Sequence, residues 1–365
     1  MCYILTNNSG AAKIKIKSIY YNFIYSIHPR KPLLIWRIIK NYLAIIFKKA
    51  VLLRYIDACI ELKCNLECEH CFAVNFEDKT KTPISDEEWV DIFDQCRELG
   101  NLAVAFTGGE PLLNPRLEDL INKSKPSETL IVVCTNGTIL TAEKAKSLYR
   151  AGVDVVQISL DSLRPEEHNL FRRNKEAFQK TMEGIKNALA AGIRVTIVTV
   201  VSHFSINSQG FLELLEWAHR KNLMVNLALA TPVGRWNNKK EVLLTEEDFR
   251  VLDRLTLRYP NARRDFETNY LPIGCGAAKE KLYFTPFGDV LPCPYMHISF
   301  GNIKKMRVAE IRKNMFSIKE LNRYHPKCLM AQDRNFIEGP LSIELNENSN
   351  KVVDWKKVFD KSNNS

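Results

Sequence analysis

From residue 58 onward the chain alternates short apolar runs with amphipathic segments. This pattern restricts the possible folds more than any other feature of the sequence. Such alternation is typical of a parallel β-sheet flanked by helices. Six runs are predicted as strands, at 58–63, 102–107, 129–135, 153–160, 194–201 and 224–230. Helices are predicted at 85–99, 141–151, 175–191 and 210–221. Right-handed crossovers place the strand ends on one rim, so we predict an α/β fold with a partial (β/α)6 TIM-like barrel whose site lies there.

Three cysteines follow the first predicted strand on one short loop. Cys64, Cys68 and Cys71 stand in the segment Cys-Asn-Leu-Glu-Cys-Glu-His-Cys. Thiolates at this spacing can bind three irons of a four-iron cluster and leave the fourth iron without a protein ligand. A zinc site is the alternative, but its nearest fourth ligand, His70, lies between two of the cysteines and would strain a tetrahedral site. The spacing therefore favours an iron–sulfur cluster.

The second predicted strand ends in Thr-Gly-Gly-Glu-Pro, residues 107–111. Gly108 and Gly109 have no Cβ, so the backbone there can approach a ligand closely. A Gly-Gly pair after a strand can also be only a turn. Together, the cysteine loop and the glycine pair resemble the radical S-adenosylmethionine (SAM) superfamily, and the resemblance covers residues 56–235.

The resemblance implies an enzyme with a SAM-binding [4Fe-4S] cluster. In that superfamily the open iron chelates the amino and carboxylate groups of S-adenosyl-L-methionine, and reductive cleavage gives a 5′-deoxyadenosyl radical that removes hydrogen from a substrate. The cofactor contacts that it implies are Gly108, Gly109, Glu110, Ser159, Asp161 and Arg172. The guanidinium of Arg172 suits a carboxylate, although Arg173 is adjacent and stays an alternative. His70 fills a position that is often aromatic in the family.

A second set of cysteines lies after residue 236. Cys275 and Cys293 flank a predicted β-hairpin with Gly288 in its turn, and Cys328 follows a later helix. This pattern resembles the SPASM extension or the shorter twitch extension, which bind auxiliary [4Fe-4S] clusters. A complete SPASM domain has seven cysteines, so we expect one auxiliary cluster held by these three thiolates. The alternative is a vestigial domain in which they are small buried residues.

The fourth ligand of that auxiliary cluster stays open between His297, Asp333 and substrate. The remaining cysteines have no partner at motif spacing and are predicted to be structural: Cys2, Cys59, Cys96 and Cys134. The expected domains are a basic amphipathic helical leader (1–55), the radical SAM core (56–235), the auxiliary domain (236–338) and a polar, mobile tail (339–365).

The net charge of +10 comes from the leader alone. Residues 1–56 contain ten Lys or Arg and no acid, so the remainder has equal numbers of each sign. Since that remainder has no basic patch interleaved with aromatic residues, no nucleic-acid partner is expected.

A helix is predicted at residues 32–50 of the leader. It has one polar face and one mainly apolar face: Arg37, Lys40, Asn41, Ala44 and Lys48 against Ile35, Ile38, Ile39, Tyr42, Ile45 and Ile46. Either the apolar face packs under the barrel, or the helix makes peripheral contact with an anionic membrane.

Composition limits the functional classes. With 365 residues and 45% hydrophobic content the chain can bury a full core. Ten cysteines without an apparent secretory signal favour metal or redox use in a cytoplasmic protein. We predict a radical SAM enzyme of peptide or cofactor/natural-product maturation, with a flavodoxin- or ferredoxin-type reductant. The alternative is an iron–sulfur electron-transfer or binding protein without SAM turnover, which would not need the glycine pair to seat an amino acid headgroup.

Overall fold

A computed structural model describes residues 30–76, 78, 80–264, 269–270, 274–347 and 351–362. Cys2 and the first 29 residues of the predicted leader lie outside the described residues, as do 348–350 and 363–365 of the predicted tail.

One nine-stranded sheet forms the centre of the chain, in the spatial order β7-β6-β5-β4-β3-β2-β1-β8-β9. Its strands are β1 (Tyr55–Glu61), β2 (Ala103–Gly108), β3 (Leu130–Thr135), β4 (Val155–Ser159), β5 (Arg194–Val201), β6 (Met224–Leu229), β7 (Ala262–Arg264), β8 (Lys281–Phe284) and β9 (Val290–Leu291). All neighbours pair in parallel except β8 and β9, which form the predicted hairpin. The α/β prediction is confirmed, and β7 and β8 widen the six-stranded barrel at both edges.

Helices connect most of the strands along the chain, and others come before β1 and after β9. They are α1 (Pro32–Lys48), α2 (Asp86–Glu98), α3 (Leu117–Lys123), α4 (Ala142–Ala151), α5 (Pro165–Arg172), α6 (Ala177–Ala190), α7 (Gln209–Arg220), α8 (Glu246–Arg258), α9 (Val308–Phe316), α10 (Arg334–Glu338), α11 (Pro340–Glu347) and α12 (Trp355–Ser362). Four of them begin after a hydroxyl N-cap that accepts a hydrogen bond from the backbone N–H three residues on: Ser85, Thr141, Ser208 and Thr245. These caps explain why the sequence located the helix starts well.

The C-terminal residues are folded rather than mobile, so the predicted tail at 339–365 was wrong for its described part. Strand β11 (Val353–Asp354) pairs in parallel with β10 (Ile298–Ser299). The ring of Trp355 stacks on Phe300 with 5.7 Å between ring centroids, and Val358 is fully buried. A few apolar anchors within a polar composition thus hold this segment on the auxiliary domain.

Helix α1 packs under the barrel through a face that combines apolar and polar side chains: Leu34 is fully buried, and Ile38 and Ile45 pack in the same cluster, while Ile39 and Ile46 of the predicted apolar face are exposed. Arg37 donates hydrogen bonds to the carbonyls of Glu128 (2.7 Å) and Asn101 (2.6 Å), and Asn41 donates to the carbonyl of Gly100 (2.6 Å). The predicted apolar face thus packs only in part, because these loops also present carbonyl groups that need donors when they are buried.

The start of α1 is fixed by a buried ion pair. Lys31 pairs with Asp154, whose carboxylate also accepts a hydrogen bond from the backbone N–H of Ile131 at 2.8 Å. Lys31→Met removes a cation from that buried carboxylate, so we expect the free energy of unfolding to fall by about 3–5 kcal/mol. Urea denaturation measures the loss.

The matched control is Lys180→Met, which breaks an exposed pair with Glu176 on α6. Exposed pairs contribute little, so this variant should unfold almost like the wild type. Equal losses in the two variants would contradict the importance of the buried pair.

Candidate active site

The three cysteines of the loop after β1 line one cavity at the carboxyl ends of β1 to β6. Its empty volume is about 1370 Å³, including the open mouth. The predicted cofactor contacts Gly108, Gly109, Ser159 and Arg172 line the same cavity. The structure therefore brings together residues that are up to 108 positions apart, from Cys64 to Arg172.

The glycine pair holds the cysteine loop against the end of β2. A Cβ on Gly108 would lie 1.9 Å from the carbonyl oxygen of Glu61, and one on Gly109 would lie 2.4 Å from that of Leu62. The backbone N–H of Gly109 donates to Glu61 at 2.7 Å. Any larger residue would push away the segment that leads into Cys64, so both glycines are needed for the loop itself.

The far side of the loop is fixed by the turn after β6. The backbone N–H of Arg235 donates to the carbonyl of Cys71 at 3.0 Å. A Cβ on Gly234, whose φ is +65°, would lie 2.2 Å from that carbonyl oxygen. The indole N–H of Trp236 donates to Glu69 at 3.3 Å. The loop is thus held from both β2 and β6 before any cofactor binds.

The donor set fits an iron–sulfur cluster better than zinc. Among the described residues, no group of three or more His, Cys, Asp or Glu is close enough to hold a single metal ion. Thiolates that bind different irons of a cluster stand farther apart than the ligands of one zinc ion. His70, the alternative zinc ligand, instead stacks its ring on Phe171 with 4.5 Å between centroids.

Polar hydrogens are directed at the cysteine sulfurs. The backbone N–H of Leu66 lies 3.4 Å from the sulfur of Cys64, and the guanidinium of Arg172 lies 3.7 Å from that of Cys68. Burial raises the pKa of the Cys64 thiol to about 11, so iron binding must supply the free energy to deprotonate it. Donors of this kind favour the thiolate form that a cluster requires.

Arg172 is held by Asp161, while the neighbouring Arg173 is exposed. The Nε atom of Arg172 donates to Asp161 at 2.7 Å. Burial acts to raise the pKa of Asp161, but the Arg172 charge, the hydrogen bond from His168 and the charges of His168 and His70 together hold that pKa well below its ordinary value. Arg173 ends α5 with φ +53° and does not line the cavity. Of the two arginines, the structure therefore directs only Arg172 at the cysteines.

The carboxylates of Glu110 and Asp161 lie behind the cavity wall rather than on it. Glu110 is fully buried and accepts hydrogen bonds from the hydroxyl of Thr135 (2.7 Å) and the backbone N–H of Asn136 (2.8 Å). Burial raises its pKa to about 7, against the lowering effect of these hydrogen bonds. Both acids were predicted as cofactor contacts, and here they orient the wall residues Asn136 and Arg172.

The three C-terminal cysteines also come together. The backbone of Cys275 pairs with that of His325, and Cys293 lies two residues after the end of β9. Burial and the nearby thiol of Cys275 together raise the pKa of the Cys293 thiol to about 12. Burial and the two other thiols raise the pKa of the Cys328 thiol well above its ordinary value. Three thiols this close fit one auxiliary cluster.

The two side chains predicted as its fourth ligand have other contacts. Asp333 caps α10 and pairs with the imidazole of His325 at 2.9 Å. His297 is buried, and its ring packs on Phe76 with 4.7 Å between centroids.

Residues 62–218 match the Radical SAM superfamily, and residues 275–331 match SPASM, the iron-sulfur cluster-binding domain. The chain belongs to the radical SAM superfamily. It is therefore an enzyme, its cofactors are a [4Fe-4S] cluster and SAM, and its SPASM domain adds auxiliary iron–sulfur binding. The alternative of an electron carrier without SAM turnover is set aside.

Named relatives of this radical SAM enzyme have different substrates. The AdoMet-dependent heme synthase of Oleidesulfovibrio alaskensis is 26% identical over 76% of this chain and 79% of its own length. The PqqA peptide cyclase of Streptomyces rochei is 29% identical over 64% of this chain and 66% of its own length.

Two solved structures share the fold. SuiB of Streptococcus suis, bound to the precursor peptide SuiA, has a TM-score of 0.59 at 16% identity and covers 77% of this chain and 69% of its own. The anSMEcpe structure with bound AdoMet and Cp18Cys peptide has a TM-score of 0.56 at 19% identity, covering 78% and 85%.

Sequence reasoning missed several residues of the radical SAM cavity. Cys134, predicted to be structural, lines the wall with its sulfur 3.5 Å from the side-chain oxygen of Gln157. Asn226, Trp236 and Tyr295 line it as well. The available signal was a polar residue at an inward position of a buried strand, as at Gln157 in β4 and Asn226 in β6.

Proposed function

We propose that this radical SAM enzyme removes a hydrogen atom from a peptide during the maturation of a peptide natural product. The observation that carries the proposal is the cavity wall beyond the cysteine loop. Gln157 and Asn226 contribute amide groups, and Tyr55, Tyr283 and Tyr295 contribute aromatic rings. Amides pair with peptide groups and aromatic rings pack on side chains, so this wall suits a peptide segment.

Charge at the wall argues against a tetrapyrrole with propionate carboxylates. Among the described residues that line the cavity, the Lys and Arg side chains are Arg172 and Lys281. Arg172 is paired with Asp161, and the ammonium of Lys281 lies 3.5 Å from the carboxylate of Asp57. A propionate would have to compete with Asp57 for Lys281, and Arg172 is proposed below for the cofactor's own carboxylate. The PqqA peptide cyclase and the SuiB–SuiA complex support the peptide choice by similarity.

The protein's part in the reaction is to position and shield. When bound, the cluster and SAM supply hydrogen-atom abstraction through reductive cleavage of a carbon–sulfur bond. We propose that Cys64, Cys68 and Cys71 hold this cluster and that Gly108 and Gly109 admit the cofactor's amino group. The exposed loop at 63–65 gives a flavodoxin- or ferredoxin-type donor access to the site. The buried strand interiors below the cavity keep water from the reacting atoms.

Arg172 is the residue that we propose for the cofactor's carboxylate. Its planar guanidinium can contact Asp161, Cys68 and a carboxylate together, whereas a lysine ammonium cannot span these positions. Arg172→Lys should therefore raise the dissociation constant of SAM by about tenfold, the loss of one charged hydrogen bond. Anaerobic equilibrium dialysis with labelled SAM measures it.

The matched control is Arg173→Lys, because Arg173 is adjacent but exposed and outside the cavity. It should bind SAM like the wild type. If Arg172→Lys also binds SAM normally, or if both variants weaken alike, the assignment of Arg172 is wrong.

The substrate class is tested by turnover. Reconstituted enzyme is given SAM and dithionite with a pool of synthetic peptides, or with an iron porphyrin instead, and 5′-deoxyadenosine is measured. We expect the peptide pool alone to accelerate its formation, with deuterium moving from a labelled peptide into 5′-deoxyadenosine. Acceleration by the porphyrin alone would reject the peptide proposal.

A further inference from the structure

We propose that the outer face of helix α1 is a docking surface for an anionic lipid membrane. The outer face is defined by Trp36, Ile39, Leu43, Ile46 and Phe47, whose exposed fractions are 62%, 46%, 47%, 65% and 78%. Their spacing of three and four residues places them on one stripe of the helix. Large apolar side chains in one exposed stripe are unusual on a water-soluble surface and mark an interaction site.

The helix cannot turn this stripe inward, because its opposite face is already fixed. Asn41 is buried and donates to Gly100 and to the hydroxyl of Tyr270, at 2.6 and 2.7 Å. Arg37 and Lys31 bind further carbonyls of the loops beneath the barrel. Rotation would break these buried hydrogen bonds and leave their donors without partners. The inward face, which combines these polar groups with Leu34 and Ile38, therefore holds the helix on the protein, and the outer face is left for a partner.

The charges beside the stripe indicate what that partner is. Lys40, Lys48 and Lys49 are exposed on or just after the helix. Residues 1–56 contain no acidic side chain, and they carry ten basic ones. An apolar stripe bordered by cations alone complements an anionic headgroup layer over an acyl region. Because of this charge complementarity, we expect the outer face to bind anionic lipid rather than neutral lipid.

The position of α1 makes membrane docking compatible with catalysis. The helix binds residues that precede β2 and β3, including Gly100, Asn101 and Glu128. These loops lie at the amino ends of the strands, whereas the cavity lies at the carboxyl ends. A membrane against the outer face would therefore lie under the barrel and leave the cavity mouth in water. No helix within the described residues is long and apolar enough to cross a bilayer, so the attachment is interfacial.

Vesicle co-sedimentation of the full chain tests the proposal. The probes are vesicles of phosphatidylglycerol with phosphatidylcholine, and of phosphatidylcholine alone, at low and at high salt. We expect the full chain to bind the anionic vesicles at low salt and about tenfold more weakly at high salt or to the neutral vesicles, because screening removes the contribution of the lysines. The double substitution Leu43→Glu with Phe47→Glu should reduce binding at least tenfold, since it places two charges in the apolar stripe.

The matched control is the double substitution Phe204→Glu with Leu257→Glu. Both positions are exposed apolar residues away from α1, at 65% and 54% exposure, and carry the same change in charge. This variant should bind anionic vesicles like the wild type. Circular dichroism and SAM binding of both double variants check that each is folded.

Three results would overturn the proposal. The first is no sedimentation of the wild type with anionic vesicles at low salt, and the second is equal binding losses in the two double variants. The third is a lipid-free dimer in sedimentation equilibrium that Leu43→Glu with Phe47→Glu converts to a monomer, without vesicle binding by the wild type. That outcome would make the outer face an interface between copies of this chain.

Discussion

Alanine at Cys64, Cys68 and Cys71 together is expected to abolish the conversion of SAM to 5′-deoxyadenosine. The three sulfurs share one cavity with the glycine pair, and their removal leaves Cys134 as the one cysteine among the described residues that line it, which cannot hold a four-iron cluster by itself. Without a bound cluster no electron can reach the carbon–sulfur bond of SAM. Product formation by reconstituted protein with dithionite should fall to that of an enzyme-free control, measured by liquid chromatography with mass detection.

The control for this variant is the alanine triple at Cys275, Cys293 and Cys328. Those thiols lie in the SPASM domain and are not among the residues lining the cavity. The control should still cleave SAM, although more slowly if the auxiliary cluster helps to order the hairpin. If the first triple variant still forms 5′-deoxyadenosine, the assignment of the catalytic cluster is wrong.

The sequence predicted the sheet well where strands are buried on both faces. Val195 and Ile197 of β5 and Val225 of β6 belong to long apolar runs that only a covered parallel sheet explains. The edge strand β7 and the hairpin strand β8 were missed as parts of that sheet, because they have three and four residues. Such short strands are stabilised by pairing with β6 and β1, and pairing is not visible in local sequence.

The orientation of α1 shows a second limit of sequence patterns. Periodicity predicted one apolar and one polar face, but the face that meets the protein combines Leu34 and Ile38 with Asn41. Burial of Asn41, and exposure of Phe47, depend on carbonyl groups in loops about 60 to 90 residues away, such as Gly100 and Glu128. The large apolar residues of an amphipathic helix are normally buried. The exposure of Trp36, Ile46 and Phe47 is therefore informative.

The candidate site was predictable where the backbone needs a particular residue. Gly108 and Gly109 are required by contacts of the chain with itself, so the motif is visible in sequence. Cys134 gives no such signal, because a cysteine in an apolar strand looks like any other small buried residue. Asn226 gives only a weak one, a polar residue within a buried strand.

Removing Cys275, Cys293 and Cys328 together is expected to lower the iron content of the reconstituted enzyme by about half. Two separated sets of three thiols predict two four-iron clusters, so the wild type should hold about eight irons per chain and this variant about four. The three thiols influence one another's pKa, which requires them to lie close together and fits one shared cluster. Iron and sulfide analysis after anaerobic reconstitution measures the change.

A vestigial SPASM domain would give the opposite result. Its cysteines would be small buried side chains, the wild type would saturate at about four irons, and the triple variant would lose none. The control is Cys96→Ala, since that thiol is fully buried in the core on α2. That variant should keep about eight irons. Loss of iron from it as well would mean that unfolding, and not ligand removal, causes the effect.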